Sequence, residues 1–322
     1  MKSHEEIKKI ALSTINNEAE SIVNLKNYID NEFAKAVEII YHCKGRIIIS
    51  GIGKSAIIGS KIVSTFNSTG TPAIFMHAAD AIHGDLGIIQ PDDIIICISK
   101  SGNTPEIKVL TPLIKSMGNK IIAMHGNANS YLALQADYNI NCSVQKEACP
   151  NNLAPTSSTT AQLVMGDALA VALLECRGFT TSDFAKYHPG GALGKQLYLK
   201  VADLSANNEV PKVNPETDIK KTIIEITSKR LGAAAVVEND VIIGIVTDGD
   251  LRRMLQKDGA IEQLKAKDIM SLHPKTIQKD ELAVTALNVM KLNNITQLLV
   301  VDDTNKYIGV VHLHDLLREG II

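Results

Sequence analysis

The stretch Asp93-Ile94-Ile95-Ile96-Cys97-Ile98-Ser99-Lys100-Ser101-Gly102-Asn103-Thr104-Pro105-Glu106 decides the fold. Its first half is a short apolar run of the kind that forms a parallel strand buried on both faces. Residues 107–117 then carry apolar positions at helical spacing. Between strand and helix lies a turn with three hydroxyl residues, Ser99, Ser101 and Thr104, and with Gly102 and Asn103 at its bend. Pro105 suits a first helical turn, because it has no N–H to leave unpaired. Such a sequence aims backbone N–H groups and the positive end of a helix dipole at one point, which makes an anion site. An ordinary helix cap needs only one hydroxyl. Three convergent hydroxyls point instead to a phosphate cradle.

Working outward, short β-branched runs at 46–50, 73–76, 93–98, 120–124 and 137–142 alternate with helical patterns at about 54–68, 105–117, 129–135 and 156–177. That alternation predicts an α/β fold, a doubly wound parallel sheet with helices on both faces. Ligands in such sheets bind outside the carboxyl ends of the strands. Both the 99–104 turn and Gly51-Ile52-Gly53-Lys54-Ser55 fall there. The latter is not a Walker A loop, since Ile48 stands where its first glycine belongs. It does fit a dinucleotide fingerprint, but the next strand ends at Met76-His77 rather than at the acid that would hold a ribose.

Residues 3–43 carry helical apolar spacing, read as one long helix or two shorter ones. His77 and His83 stand six apart with Asp80 between them, a poor metal pattern that better suits the orientation of sugar hydroxyls. Lys146-Glu147-Ala148-Cys149-Pro150 has the composition of a loop, and Ala154 to Thr160 opens an apolar helix with a crowd of hydroxyls. His188, held by Pro189 and Gly190-Gly191, is presented on a turn.

From Leu199 the chain repeats itself at a separation of 65, with Thr247 and Asp250 matched by His312 and Asp315. Each copy has an amphipathic helix (219–229 and 282–292) and a hairpin (234–246 and 297–311), and the two are expected to pair into one module. Thr247, Asp250 and Asp315 are candidates for holding a nucleotide or sugar nucleotide. Helix capping explains them nearly as well.

The 322 residues suggest about two domains. A net charge of −2 argues against nucleic acid as a partner. No apolar run reaches the roughly 18 residues of a membrane span, and the charged N-terminus is unlike a signal peptide. Five cysteines without a CxxC pair read as reduced core thiols of a cytoplasmic protein.

Gly51-Ile-Gly-Lys-Ser, His83-Gly-Asp-Leu-Gly, Lys146-Glu-Ala-Cys-Pro, Leu153 to Thr160, His188-Pro-Gly-Gly-Ala-Leu-Gly and Thr247-Asp-Gly-Asp-Leu-Arg-Arg together resemble the arabinose 5-phosphate isomerase family. Residues 1–195 resemble its sugar isomerase (SIS) domain, and 196–260 and 261–322 resemble a pair of cystathionine-β-synthase-type (CBS) repeats. The resemblance implies interconversion of D-ribulose 5-phosphate and D-arabinose 5-phosphate, leading to Kdo and lipopolysaccharide. It implies Lys54, Glu106, Glu147 and His188 as catalytic positions, with Ser55, Gly70, Thr71, His77 and His83 near the sugar phosphate. It also implies a homotetramer, no required cofactor, and an inhibitory zinc site including His77. One departure is Ala56-Ile57, where the family pattern has Gly-His. An isomerase for another phosphosugar, or a sensor that only binds one, are the competing readings.

Such an isomerase must hold a phosphate, move a proton between C1 and C2, and stabilise an enediolate. Glu106 and Glu147 are the candidate bases and Lys54 the group to hold developing negative charge. Of the two acids Glu147 is the expected base. Partial burial of its loop would raise its pKa, whereas the helix dipole would lower that of Glu106.

Overall fold

The computed structural model describes residues 1–256 and 261–321, so the repeat ends expected at 260 and 322 lie outside the described residues. The chain divides into two compact units, Met1–Tyr187 and His188–Ile322.

The first unit opens with α1 (His4–Asn24) and α2 (Asn31–Tyr41), started by the capping residues Ser3 and Asp30. There follow β1 (Ile47–Gly51), α3 (Lys54–Ser68), β2 (Ala73–His77), α4 (Ala78–Ala81), β3 (Ile94–Ser99), α5 (Pro105–Ser116), β4 (Lys120–His125), α6 (Tyr131–Gln135), β5 (Tyr138–Asn141), α7 (Ser157–Cys176) and α8 (Thr181–Tyr187). The sheet is parallel, in the order β2-β1-β3-β4-β5.

Every residue of β1 and β3 is buried, as their unbroken isoleucine runs require. Ile47, Ile49, Ile96 and Ile98 pack on one face with Ile62, Phe66, Met165 and Leu169. Ile48, Ile95 and Cys97 pack on the other with Ile107, Leu110 and Ile114. At 20 residues α7 is long and apolar enough by length and composition to cross a membrane. It instead packs along α3, closely enough that a Cβ at Gly166 would meet Ile62 at 2.4 Å. Only Cys97 and Cys142 are buried, while Cys43 and Cys149 are half-buried and Cys176 is exposed, so the reading of all five as core thiols holds for two.

The strand order changes direction between β1 and β3, which is where an open α/β sheet forms its ligand crevice. Register puts Gly51 level with His77 and with Ile98, so the loops leaving β1, β2 and β3 start at one height.

The second unit runs α9 (Ala192–Tyr198), α10 (Val201–Ser205), β6 (Lys212–Val213), α11 (Ile219–Lys229), β7 (Ala233–Glu238), β8 (Val241–Thr247), α12 (Asp248–Leu255), α13 (Ala266–Ile269), β9 (Ser271–Leu272), β10 (Thr276–Gln278), α14 (Ala283–Asn293), β11 (Gln297–Val301), β12 (Tyr307–His312) and α15 (Leu313–Arg318). The sequence repeats are not the spatial halves. Val201 and Leu204, which open the first copy, are buried among the second copy's Ile277, Leu298 and Val311. Ala266, which opens the second, is buried with Val213, Ala234 and Val246 of the first. Each copy thus completes its partner's core, as expected of units too small to stand alone.

The 99–104 turn depends on one glycine. Gly102 has φ +63°, and a Cβ there would stand 2.1 Å from Ser130 Oγ, the cap of α6. Gly102→Ala is expected to destabilise the first unit by about 1–3 kcal/mol through strain and displacement of that cap. Urea unfolding of the variant checks this, and a change below about 0.5 kcal/mol would mean the turn yields freely.

Candidate active site

The structure brings together three loops at the carboxyl edge of β1, β3 and β4. The turn after β3 is braced from within: Ser99 Oγ accepts the N–H of Gly102 at 3.1 Å, and Ser101 Oγ that of Asn103 at 3.2 Å. It is also tied outward, since Asn103 Oδ1 accepts the Tyr131 N–H at 3.1 Å and the Gly102 carbonyl accepts that of Leu132 at 3.0 Å. Both serine hydroxyls keep their own proton to donate.

Thr104 is the N-cap residue of α5 by backbone conformation, yet its side chain makes no capping bond and its buried Oγ1 has no partner among the described residues. The hydroxyls therefore do not serve as an ordinary helix cap. The amino end of a 12-residue helix is left open, in a turn fixed on both sides, as anion binding requires. Glu106 lies in the first turn of this helix, half-buried.

Lys54 is the first residue of α3, exposed, with no carboxylate partner among the described residues. Gly53, at φ +58°, turns the chain from β1 into that helix. Ser55 Oγ donates to Gln162 Oε1 of α7 at 3.2 Å. Ile57, at the family's histidine position, is 70% exposed. His77 ends β2 with Nδ1 3.6 Å from Asp80 Oδ2, and His83 is exposed in the following loop. Among the described residues no group of three His, Cys, Asp or Glu side chains is placed to hold a metal.

Glu147 departs most from expectation. Its side chain is buried, but not in apolar surroundings. Oε2 accepts the N–H groups of Thr156 at 2.9 Å and Ser158 at 3.1 Å, so the carboxylate caps α7 from outside the helix. Oε1 accepts Ser158 Oγ and Lys100 Nζ, each at 2.5 Å. Burial alone would raise its pKa, but the bonds from Lys100, Ser158 and Thr156 outweigh burial and hold it down at about 2. The expectation of a raised pKa and a basic Glu147 is therefore corrected. A carboxylate so fully satisfied is a poor proton acceptor near neutral pH. The hydroxyls that crowd the start of α7 likewise do not cap it, because Glu147 does.

Gly70 and Thr71 lie on the opposite edge of the sheet. Pro72, next in the chain, pairs with the first residue of β1, and the Thr71 hydroxyl is engaged by Arg177. The single chain thus keeps them away from the loop cluster. His188 opens the second unit, where its carbonyl accepts the Gly191 N–H at 3.1 Å.

In the second unit Thr247 and Asp250 form a reciprocal capping box, and Asp250 also accepts Arg253 and, at 2.9 Å, Ser271 Oγ. Asp315 repeats the arrangement, accepting the His312 N–H at 2.8 Å and Asn208 Nδ2 at 2.7 Å. All three side chains make capping bonds, as the helix-capping reading expected.

The SIS domain family matches residues 39–172, and the CBS domain family matches 201–257 and 266–321. Arabinose 5-phosphate isomerase KdsD of Francisella tularensis is 48% identical over 312 residues, 96% of this chain and 95% of that one. KdsD of Pseudomonas aeruginosa is 47% identical over 314 residues, 97% of this chain and 96% of the other. The chain belongs to the arabinose 5-phosphate isomerase family. An Escherichia coli protein solved in complex with arabinose 5-phosphate matches at TM-score 0.57 and 39% identity, covering 58% of this chain and 100% of that one.

Sequence reasoning passed over Lys100, Ser158 and Gln162 in this arabinose 5-phosphate isomerase family member. All three lie in or beside quoted motifs, but only the fold shows which way they point. The depressed pKa of Glu147 has a sign that can be checked. Its contribution to stability is fully present above its unfolded value of 4.5 and is lost as pH falls toward about 2. The stability gap between wild type and Glu147→Gln is expected to narrow between about pH 5 and pH 2 in urea unfolding.

Proposed function

We propose that this chain interconverts D-ribulose 5-phosphate and D-arabinose 5-phosphate through an enediolate, supplying Kdo and lipopolysaccharide synthesis. The observation that carries this reading is the uncapped amino end of α5 under its braced hydroxyl turn, with Lys54 and Glu106 in the first turns of the helices that follow β1 and β3. The turn binds the phosphate. Glu106 takes the C1 proton of the ketose and, once that proton has exchanged with solvent, protonates C2. Lys54 holds the O2 oxyanion of the enediolate between the two steps, and the O1 hydroxyl proton passes to O2 as C1 becomes the aldehyde. Arabinose 5-phosphate closes to a ring through O4, so the aldose direction also needs an acid for ring opening, a role given to His188 by family resemblance. Proton transfer of this kind needs no cofactor.

A cytoplasmic homotetramer is part of the same proposal. An apolar groove of about 550 Å³ on α2 and α7, lined by Phe33, Val37, Tyr41, Ala172 and Cys176, is a surface suited to a second copy. Light scattering is expected to give four times the chain mass, and a monomer would refute it.

Chromatography of the products from ribulose 5-phosphate tests the reaction. Arabinose 5-phosphate is expected, and any other aldose would favour an isomerase for a different sugar. No turnover despite tight binding would favour a sensor. In deuterium oxide the arabinose 5-phosphate should carry deuterium at C2. Glu106→Gln is expected to lose roughly 10²–10⁴ in kcat with little change in KM, and near-normal kcat would remove it as the base.

A further inference from the structure

Lys100 stands inside the braced turn, and its interactions face two ways. Its carbonyl accepts the Gly126 N–H at 3.0 Å, an approach open only because residue 126 has no side chain: a Cβ there would lie 2.8 Å from that oxygen. Its ammonium reaches in the other direction to Glu147 Oε1 at 2.5 Å. One residue therefore links the turn after β3, the end of β4 and the start of α7.

The carboxylate does not need this partner for its own hydrogen bonding. Glu147 still has the Thr156 and Ser158 N–H groups, the Ser158 hydroxyl and the positive end of α7. What Lys100 adds is charge. Glu147 is a full negative charge buried beside a turn that must receive a phosphate dianion, and charges in such sites interact through a low dielectric. Lys100 is the cation paired with it, and its side chain is 46% exposed.

We propose that Lys100 is a positioning residue of the anion cradle, which pins the turn to α7 and cancels the charge of Glu147 so that a phosphate dianion is accepted. This inference rests on the reading of the 99–104 turn as a phosphate site. Lys100 does not touch the reacting carbons, and its effect falls on binding rather than on the chemical step.

The test is calorimetric binding of inorganic phosphate, alongside KM and kcat for ribulose 5-phosphate. Lys100→Met is expected to weaken phosphate binding and raise KM by about tenfold, the size of one lost charge-assisted contact, with kcat changed by less than about threefold. Lys100→Arg should bind nearly as wild type. The double variant Lys100→Met with Glu147→Gln should recover affinity, because the unneutralised charge is then gone. A purely structural loss would not show the recovery. Unchanged phosphate binding in Lys100→Met, or a folded Lys100→Arg as weak as Lys100→Met, overturns the proposal. Wild-type protein that binds phosphate without isomerising ribulose 5-phosphate would overturn the function proposed above but leave this inference standing. Wild-type protein without millimolar affinity for phosphate overturns both.

Discussion

A buried carboxylate capping a helix from outside it holds the candidate site together. Glu147 belongs to a loop, yet it satisfies the first N–H groups of α7 and pairs with a lysine from the turn after β3. Removing a charge from water is unfavourable unless hydrogen bonds replace the hydration. Here backbone donors, a hydroxyl, a helix dipole and an ammonium all do so, which fixes where the 147–156 loop, α7 and the turn after β3 lie relative to one another. The same saturation makes Glu147 a poor base near neutral pH. Its chemical value is geometric and electrostatic.

The two helix starts facing the crevice are treated oppositely. The amino end of α7 is closed by Glu147, while that of α5 is left uncapped although Thr104 stands at the capping position. An open helix start within a turn pinned by Asn103 and Gly102 leaves donors that an anion would satisfy. The rigidity comes from elsewhere, from α6 and the Ser130 cap against which Gly102 must fit. In the function proposed above, such a preorganised cradle would hold phosphate without reorganising its dipoles, so that remote binding energy could serve a reaction at C1 and C2.

The second unit shows one solution reached by different residues. Thr247 and His312 both start a helix after the last strand of a repeat, each with an aspartate three residues on that returns a bond to the cap. The hydroxyl of Thr247 accepts the Asp250 N–H, whereas His312 Nδ1 accepts the His314 N–H at 3.0 Å. An imidazole nitrogen can accept only when unprotonated, and burial lowers the His312 pKa in keeping with that. The second cap thus depends on a protonation state and the first does not.

The sequence by itself determined the five strands and the longer helices of the first unit and the family, because unbroken isoleucine runs, helical spacing and glycine turns are local properties. It also marked the 99–104 turn as a candidate anion site, because its hydroxyls and proline sit within a few residues of one another. Three things it left to the tertiary structure. That the Glu147 pKa falls rather than rises depended on donors contributed by residues 100, 156 and 158, far from Glu147 in sequence or approaching it only through α7. That Gly70 and Thr71 fall on the far edge of the sheet depended on strand direction. That the repeats exchange their leading helices depended on which apolar face was left uncovered. Spacing along a chain reports local conformation, but pKa, burial and pairing are set by neighbours brought in from elsewhere, and only packing decides those.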